Sequence, residues 1–371
     1  MSGRVLITGG AGFIGSHLAR HLLESGYAVR VFDNLTPQVH GSTRRPSYLE
    51  REVELVTGDL RDRDAVAHAL NGCSVVVHFG SRVGVGQSMY EIAEYASVNT
   101  YGTAVLLEAL MDRPVRKLLV ASSMSIYGEG LYRTPDGAFA EAVIRTRAQL
   151  ERGEWEPRGP HALELTPLPT PECKQPALSS MYALGKFDQE MMCLLFGSSY
   201  NVPTVALRFF NVYGPDQALS NPYTGVLAIF GGRLLNGRPP LIFEDGLQRR
   251  DFVSVHDVVH ACKLALERDG ADGRAINVGS GHSITVCEIA ERLARVLGRE
   301  DIETTVTGKY RVGDIRHCFA DISVAHQTLG YVPQVELEDG MAELAEWLEG
   351  QVADDRVESA AAELAARGLT L

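Results

Sequence analysis

No apolar run in this 371-residue chain approaches the roughly 20 residues that span a bilayer. The N-terminus passes directly into a short strand pattern, RVLIT, where a secretory leader would carry its apolar stretch, so the cytoplasm is the expected compartment. Paired cysteines are missing too. Cys73, Cys173, Cys193, Cys262, Cys287 and Cys318 are scattered without C-x-x-C or framework spacing, which leaves reduced thiols that mostly serve packing. Positive charge is scarce: 35 basic against 47 acidic side chains give a formal charge of −12. That balance argues against nucleic acid or an anionic membrane surface as a partner, and any anionic substrate must be held by a few local arginines. There is no internal repeat and no strong compositional bias.

What the chain does contain is an alternation. Strand-length apolar runs (RVLIT, AVRVFD, VELVTGD, SVVVHFG, KLLVASS) are separated by helix-period stretches such as SHLARHLLESG and NTYGTAVLLEALM. Strands that are apolar throughout and joined by helices imply a parallel sheet covered on both faces, an α/β fold of the Rossmann-type doubly wound class. A further helix, SSMYALGKFDQEMMCLLFGSSY, and a further strand, TVALRFFNV, extend it. Beyond about Val212 the chain is rich in Gly, Pro and Arg and suits a smaller C-terminal substrate-binding lobe. The expected division is a sheet domain from residues 1–131, 174–212 and 250–280, a lobe from 213–249 and 281–350, and a peripheral alanine-rich helical tail over 351–371. Residues 132–173, polar and proline-punctuated, are too long for an ordinary connection and form an insert that could act as a lid.

VLITGGAGFIGSHLARHLL places Gly9, Gly12 and Gly15, with Phe13 and Ile14 among them, where a strand turns into a helix. Backbone amides and the positive helix end then face a pyrophosphate. The strand before, the helix after, and Asp33 closing the next strand in VRVFDN supply the context that a glycine triplet alone lacks. A carboxylate there accepts hydrogen bonds from an adenosine ribose and repels a 2′-phosphate, so NAD is expected rather than NADP. Asn34 follows it. Asp59, next to Leu60 in TGDL, ends the third strand near the expected adenine, and could equally cap the helix of RDRDAVAHAL. Phe79, Gly80 and Ser81 end the fourth strand beside the same crevice.

ASSMSIYGEG, residues 121–130, brings Ser122, Ser123, Ser125 and Tyr127 to a buried strand end with no carboxylate, histidine or cysteine among them. MYALGK spaces Tyr182 and Lys186 by four, one turn apart on one helix face. An ammonium near a phenol favours the phenolate. Each pKa unit between about 10 and neutrality requires about 1.4 kcal/mol, which the lysine and a cationic nicotinamide would supply in a dry site. His17 with His21, and His256 with His260, share helix faces, but neither pair has an evident third ligand, so no metal is expected.

On these residues the chain resembles the extended short-chain dehydrogenase/reductases, and among them the nucleotide-sugar epimerases and dehydratases. The matching motifs, TGGAGFIG, SSMSIYG, YALGK, RFFNVYGP, RRDFVSVHDV and GDIRHCFAD, extend over nearly all of it. The resemblance implies that Ser123 polarises a sugar hydroxyl, that Tyr182 is the base, and that Lys186 holds the nicotinamide ribose. It implies further that Asn99 and Ser122 adjoin the cofactor, that Gln87, Met124, Ser125 and Asn211 lie by the substrate, and that Arg250 and Arg311 grip its diphosphate. PQVHG, VGVGQSMYEI, SSMSIYGEG and NPYTGV are similar to the dTDP-L-rhamnose 4-epimerase subgroup. This implies an NAD-dependent 4-epimerase of a dTDP-6-deoxyhexose, and a homodimer formed through the GTAVLLEALM and YALGKFDQEMMCLLF helices. Relatives of this kind often carry paired cysteines in the insert, whereas this insert keeps only Cys173, so its rigidity must come from another source.

Other activities share such a fold: 4,6-dehydration, decarboxylation, 4-ketoreduction, or NAD-binding regulation without catalysis. Intact Ser123, Tyr182 and Lys186 argue against the regulator. The related dehydratases place an acidic pair directly after the catalytic Thr, and the decarboxylases keep a glutamate at the second place. Here Met124 and Ser125 stand there. A thioether donates no proton and an alkyl hydroxyl is a poor acid. The expected product is therefore a C4 epimer of unchanged mass, unless an acid such as Glu141 or Glu172 arrives from the insert.

Overall fold

The computed structural model describes residues 3–141, 143–219, 221, 223, 225–311, 313–351, 355 and 357–370. Its centre is a seven-stranded parallel sheet of β1 (Arg4–Thr8), β2 (Ala28–Asp33), β3 (Glu54–Thr57), β4 (Cys73–His78), β5 (Lys117–Ser123), β6 (Thr204–Phe209) and β7 (Arg274–Val278), in the order β7-β6-β5-β4-β1-β2-β3. Side chains alternate between faces along each strand. Val5 and Ile7 join one apolar cluster with Leu18 and Val258, while Leu6 between them joins a second with Leu106 and Phe196. Both faces are buried, which is why the strand runs are apolar throughout. The chain winds outward from β1 to β3 and then returns to β4 on the other side of β1, so a crevice opens where the winding reverses.

Helices α1 (Phe13–Glu24), α2 (Pro37–His40), α3 (Arg63–Leu70), α4 (Val85–Ser88), α5 (Gly102–Asp112), α6 (Met181–Tyr200) and α7 (Val255–Glu267) connect and cover these strands. A π-helical stretch, Ala96–Tyr101, leads into α5. The paired histidines are packing: His17 meets His256 and His21 meets His260 ring to edge, at 5.6 and 6.3 Å, where α1 lies on α7. The cap of α3 is Asp62, whose carboxylate accepts from the Asp64 and Ala65 amides, and not Asp59. Asp59 instead closes a local turn by accepting from the Arg61 amide. The smaller lobe has its own core of Leu227, Phe230, Ile289, Leu293, Met341 and Leu348.

The insert forms a small antiparallel sheet of Leu131–Arg133, Phe139–Ala140 and Thr166–Leu168, and charge rather than sulfur fixes it in place. Arg145 reaches Glu129 at 3.2 Å and Glu244 at 2.7 Å. Arg316, with no exposed surface, meets Glu244 at 3.0 Å, Asp245 at 2.6 Å and Glu156 at 2.9 Å. Burial opposes ionisation of Glu156, yet hydrogen bonds from His317 and Arg316 hold its carboxyl down at about 2. The tail helix α8 (Val357–Ala366) lies on the surface and buries one residue. Leu364 is buried against Gly86, Arg367 lies 4.4 Å over the Tyr90 ring, and Thr370 bridges Arg311. Among the described residues no helix is long and apolar enough to cross a membrane.

Candidate active site

A cleft of about 480 Å³ lies along the switch crevice, lined by the glycine turn, the ends of β2 to β5, and the turns after β6. The glycines answer to two constraints. Gly9 has φ +65°, and a Cβ there would meet the Gly80 nitrogen at 2.7 Å; a Cβ on Gly15 would lie 2.5 Å from the Gly10 Cα. Gly12 differs, for its Cβ would meet only the Gly9 carbonyl at 3.4 Å. Backbone there stays open to the cleft beside the first turn of α1, as a pyrophosphate requires. Phe13 and Ile14 line the same stretch.

Asp33 is buried at the end of β2, and its carboxylate is aimed by the Ala11 amide at 3.1 Å and the Leu35 amide at 2.9 Å. Each oxygen keeps a lone pair for a ribose hydroxyl. Asn34, Asp59, Leu60, Phe79, Gly80 and Ser81 also line the cleft. Hydrogen bonds from Arg61 hold Asp59 ionised, at about 2. The Ser122 hydroxyl is buried on the cleft wall without a protein partner. An orphan of this kind costs stability unless a ligand engages it. Together the open glycine turn, the aimed carboxylate and this orphan hydroxyl fit a dinucleotide.

At the other end of the cleft stand Ser123, Met124, Ser125, Tyr182, Lys186 and Asn211. Ser123 ends β5 and caps a 3-10 turn, Met124–Tyr127, accepting from the Ser125 amide at 3.1 Å and donating to the Ser125 hydroxyl at 3.2 Å. That turn is the reason a buried strand delivers its serines together. Ser180 caps α6, and the Tyr182 amide donates to the Ser88 hydroxyl at 3.0 Å, so the tyrosine is fixed from two elements. Lys186 donates to Gln189 at 2.8 Å, and Gln189 is itself anchored on the Gly80 carbonyl at 3.1 Å. Burial lowers the Lys186 pKa to about 8. Burial raises that of Tyr182, while a hydrogen bond with Ser123 works the other way. The expected lowering of the phenol by Lys186 is thus not the work of the chain's own groups, because the ammonium is turned to Gln189.

Four residues expected at the cleft do not line it. Asn99 is buried and clasps the Arg82 backbone through both amide atoms, at 2.7 and 3.1 Å. Gln87 is buried among Gln38, Glu91 and Tyr95. Arg250 donates to the carbonyls of Arg249, Ile315 and Arg316. Arg311 pairs with Asp314 at 2.9 Å and stacks 4.6 Å over Phe243. In each case nearby backbone or side-chain partners claim the polar end. Neither Glu141, which accepts from the Gln175 amide, nor Glu172, which accepts from the Asn277 amide, lines the cleft. Its carboxylates are Asp33, Asp59, Glu94 and Asp216, and none belongs to the segment after Ser123.

Sequence reading missed Tyr48, whose hydroxyl donates to the Ala11 carbonyl at 3.0 Å from an irregular loop that no periodicity marks. It also missed Asp216 on the cleft wall, whose φ of +64° has no signature in a non-glycine residue. Among the described residues no cluster of three or more His, Cys, Asp or Glu side chains could hold a metal.

Residues 5–279 match the family described as NAD dependent epimerase/dehydratase. A dTDP-L-rhamnose 4-epimerase from Burkholderia thailandensis is 35% identical over 350 residues, covering 93% of this chain and 94% of that protein. Among solved structures, UDP-glucose 4-epimerase from Thermotoga maritima with UDP-glucose is similar at a TM-score of 0.77 and 31% identity, over 93% of this chain and 98% of that one. The Thermus thermophilus UDP-glucose 4-epimerase complex with NAD is similar at 0.74 and 30%, over 94% and 100%.

Proposed function

The chain belongs to the NAD-dependent epimerase/dehydratase family as a nucleotide-sugar epimerase, and we propose that it inverts C4 of a dTDP-6-deoxyhexose through a transient 4-keto sugar. The observation that carries this reading is the convergence of Ser123, Tyr182 and Lys186 on one cleft with Met124 and Ser125 where an elimination would need an acid. The likeness to a dTDP-L-rhamnose 4-epimerase supports the sugar class.

Tyr182, as phenolate, removes the C4 hydroxyl proton and later returns it. Ser123 donates a hydrogen bond to the oxygen as the ketone develops. The glycine turn, Asp33 and Lys186 would hold NAD, which when bound would supply the hydride acceptor and donor and a cationic ring that favours the phenolate. Presentation of the ketone's opposite face before the reverse step inverts the centre without net redox change.

A homodimer completes the proposal. Leu184, Met191 and Leu195 form an exposed apolar stripe at helical spacing on α6, and Tyr101 and Met111 flank α5 beside it. A second copy of this chain, packed helix to helix, would cover both.

The test is to incubate the protein with dTDP- and UDP-hexoses and resolve the products by NMR and mass spectrometry. Interconversion of epimers of equal mass is the expected result. A dehydrated 4-keto-6-deoxy sugar accumulating from a dTDP-hexose would overturn the reading.

A further inference from the structure

The single-turn helix α2 starts four residues after Asp33, has no side-chain cap, and buries no residue whole, its one inward side chain being His40 at 2% exposure. An uncapped turn of that length has no stability of its own. Its position depends on what its side chains reach. His40 faces inward, with Nε2 3.5 Å from Asp33 and Nδ1 3.1 Å from the Tyr48 hydroxyl. Gln38 reaches outward to two other segments.

The Gln38 amide forms a reciprocal pair with Gln87, donating to its oxygen at 2.9 Å and accepting from its nitrogen at 3.3 Å. It also donates to the Asn221 side chain at 3.3 Å and accepts from Arg82 at 3.4 Å. These partners come from the α4 segment and the smaller lobe. Thr36 and Val39 around Gln38, Val85 near Gln87, and Asn221 itself line the cleft, so the amide contacts tie together segments that border it. Gln87 and Arg82 do not give way easily, for both are pinned to Glu91, at 2.9 and 2.7 Å.

We infer that Gln38 is a latch: its bonds to Gln87 and Asn221 close α2 over the cofactor cleft, and NAD leaves only when they open. Fixed partners on one side and a marginal helix on the other make α2 the part that moves. Gln87 therefore serves as the keeper of this latch, not as a contact of the sugar.

The test loads the protein with NADH, chases it with excess NAD, and follows the loss of nicotinamide fluorescence. Gln38→Ala should release NADH at least about tenfold faster, since it removes all four hydrogen bonds of the Gln38 side chain, two donated and two accepted. Asn221→Ala should accelerate release less, and the double variant should match Gln38→Ala, because the bond Asn221 gives to the latch is the one to Gln38, its other, from the Tyr223 amide, staying within its own segment. If Gln38→Ala fails to fold, Gln38→Met retains the volume but neither donates nor accepts these bonds, and the same acceleration is expected. An unchanged release rate in either folded variant, or additive effects in the double variant, would overturn the latch. So would altered dTDP affinity with unaltered NADH release, which would assign these bonds to the substrate entrance. The readout is cofactor release and is independent of which sugar is turned over.

Discussion

Glu244 shows how tightly the insert is bound to the rest of the molecule. Its carboxylate is 1% exposed and is shared by two guanidinium groups, Arg145 at 2.7 Å and Arg316 at 3.0 Å. Replacing either arginine with methionine leaves Glu244 one cation. In Arg145→Met, Glu129 still accepts from the Tyr132 hydroxyl and from the Arg316 and His317 amides. In Arg316→Met, Glu156 and Asp245, 49% and 33% exposed, can turn to water. Each single variant should therefore lose about 2 kcal/mol, within the range for hydrogen bonds to charged groups. The double variant strips Glu244 of both cations, and an uncompensated buried carboxylate costs about 3–5 kcal/mol in addition. Urea unfolding of the three NAD-loaded variants at near-neutral pH measures this coupling.

The sign of the pH dependence gives a second check. In the wild type, Glu156 is held low, so its contribution is present above the ordinary carboxylate value of 4.5 and is lost as pH falls through about 2. Burial already raises Glu244 above its ordinary value. Without its cations it rises further, so the double variant should regain relative stability as pH falls and Glu244 takes up a proton. A double variant whose loss equals the sum of the singles within about 0.5 kcal/mol would refute the account, because it would mean that neither arginine keeps Glu244 ionised.

Tyr182→Phe should lower kcat by about 10²–10⁴-fold while NADH binding, followed by fluorescence titration, stays near wild type, since only the acid–base oxygen is lost. Full activity would remove Tyr182 from the mechanism. Asp33→Gly should narrow the preference for NAD over NADP by at least about tenfold, the worth of a charge-assisted hydrogen bond. Because Asp33 also holds the Ala11 and Leu35 amides, affinity for both cofactors should fall, that for NAD by the larger factor. An unchanged ratio in competitive binding would show that another group selects the cofactor.

The parallel sheet and its glycine turn were legible because their signals are local: continuous apolar strands, a glycine triplet between strand and helix, and a carboxylate one strand later. Tyr182 and Lys186 could be paired from spacing alone because a helix fixes which residues share a face. The partners of Arg250 and Arg311 were illegible for the opposite reason. Where a long cation points depends on the carbonyls and carboxylates around it, and those lie far away in sequence, as Ile315 does from Arg250. The charge cluster that fixes the insert was illegible in the same way. Its members are spread from Glu129 to His317, and each alone reads as a solvated surface residue.

Helix α4 is only four residues long, about 6 Å at the usual rise. Its last two residues face different tasks: Gln87 keeps the amide pair with Gln38, and Ser88 receives the Tyr182 amide. In so short a segment a substitution that displaces one residue displaces the next as well. A substitution in Val85–Ser88 will therefore register in two assays at once, as faster cofactor loss and as slower chemistry. An experimenter who measures only one of them will assign the defect to the wrong half of the enzyme.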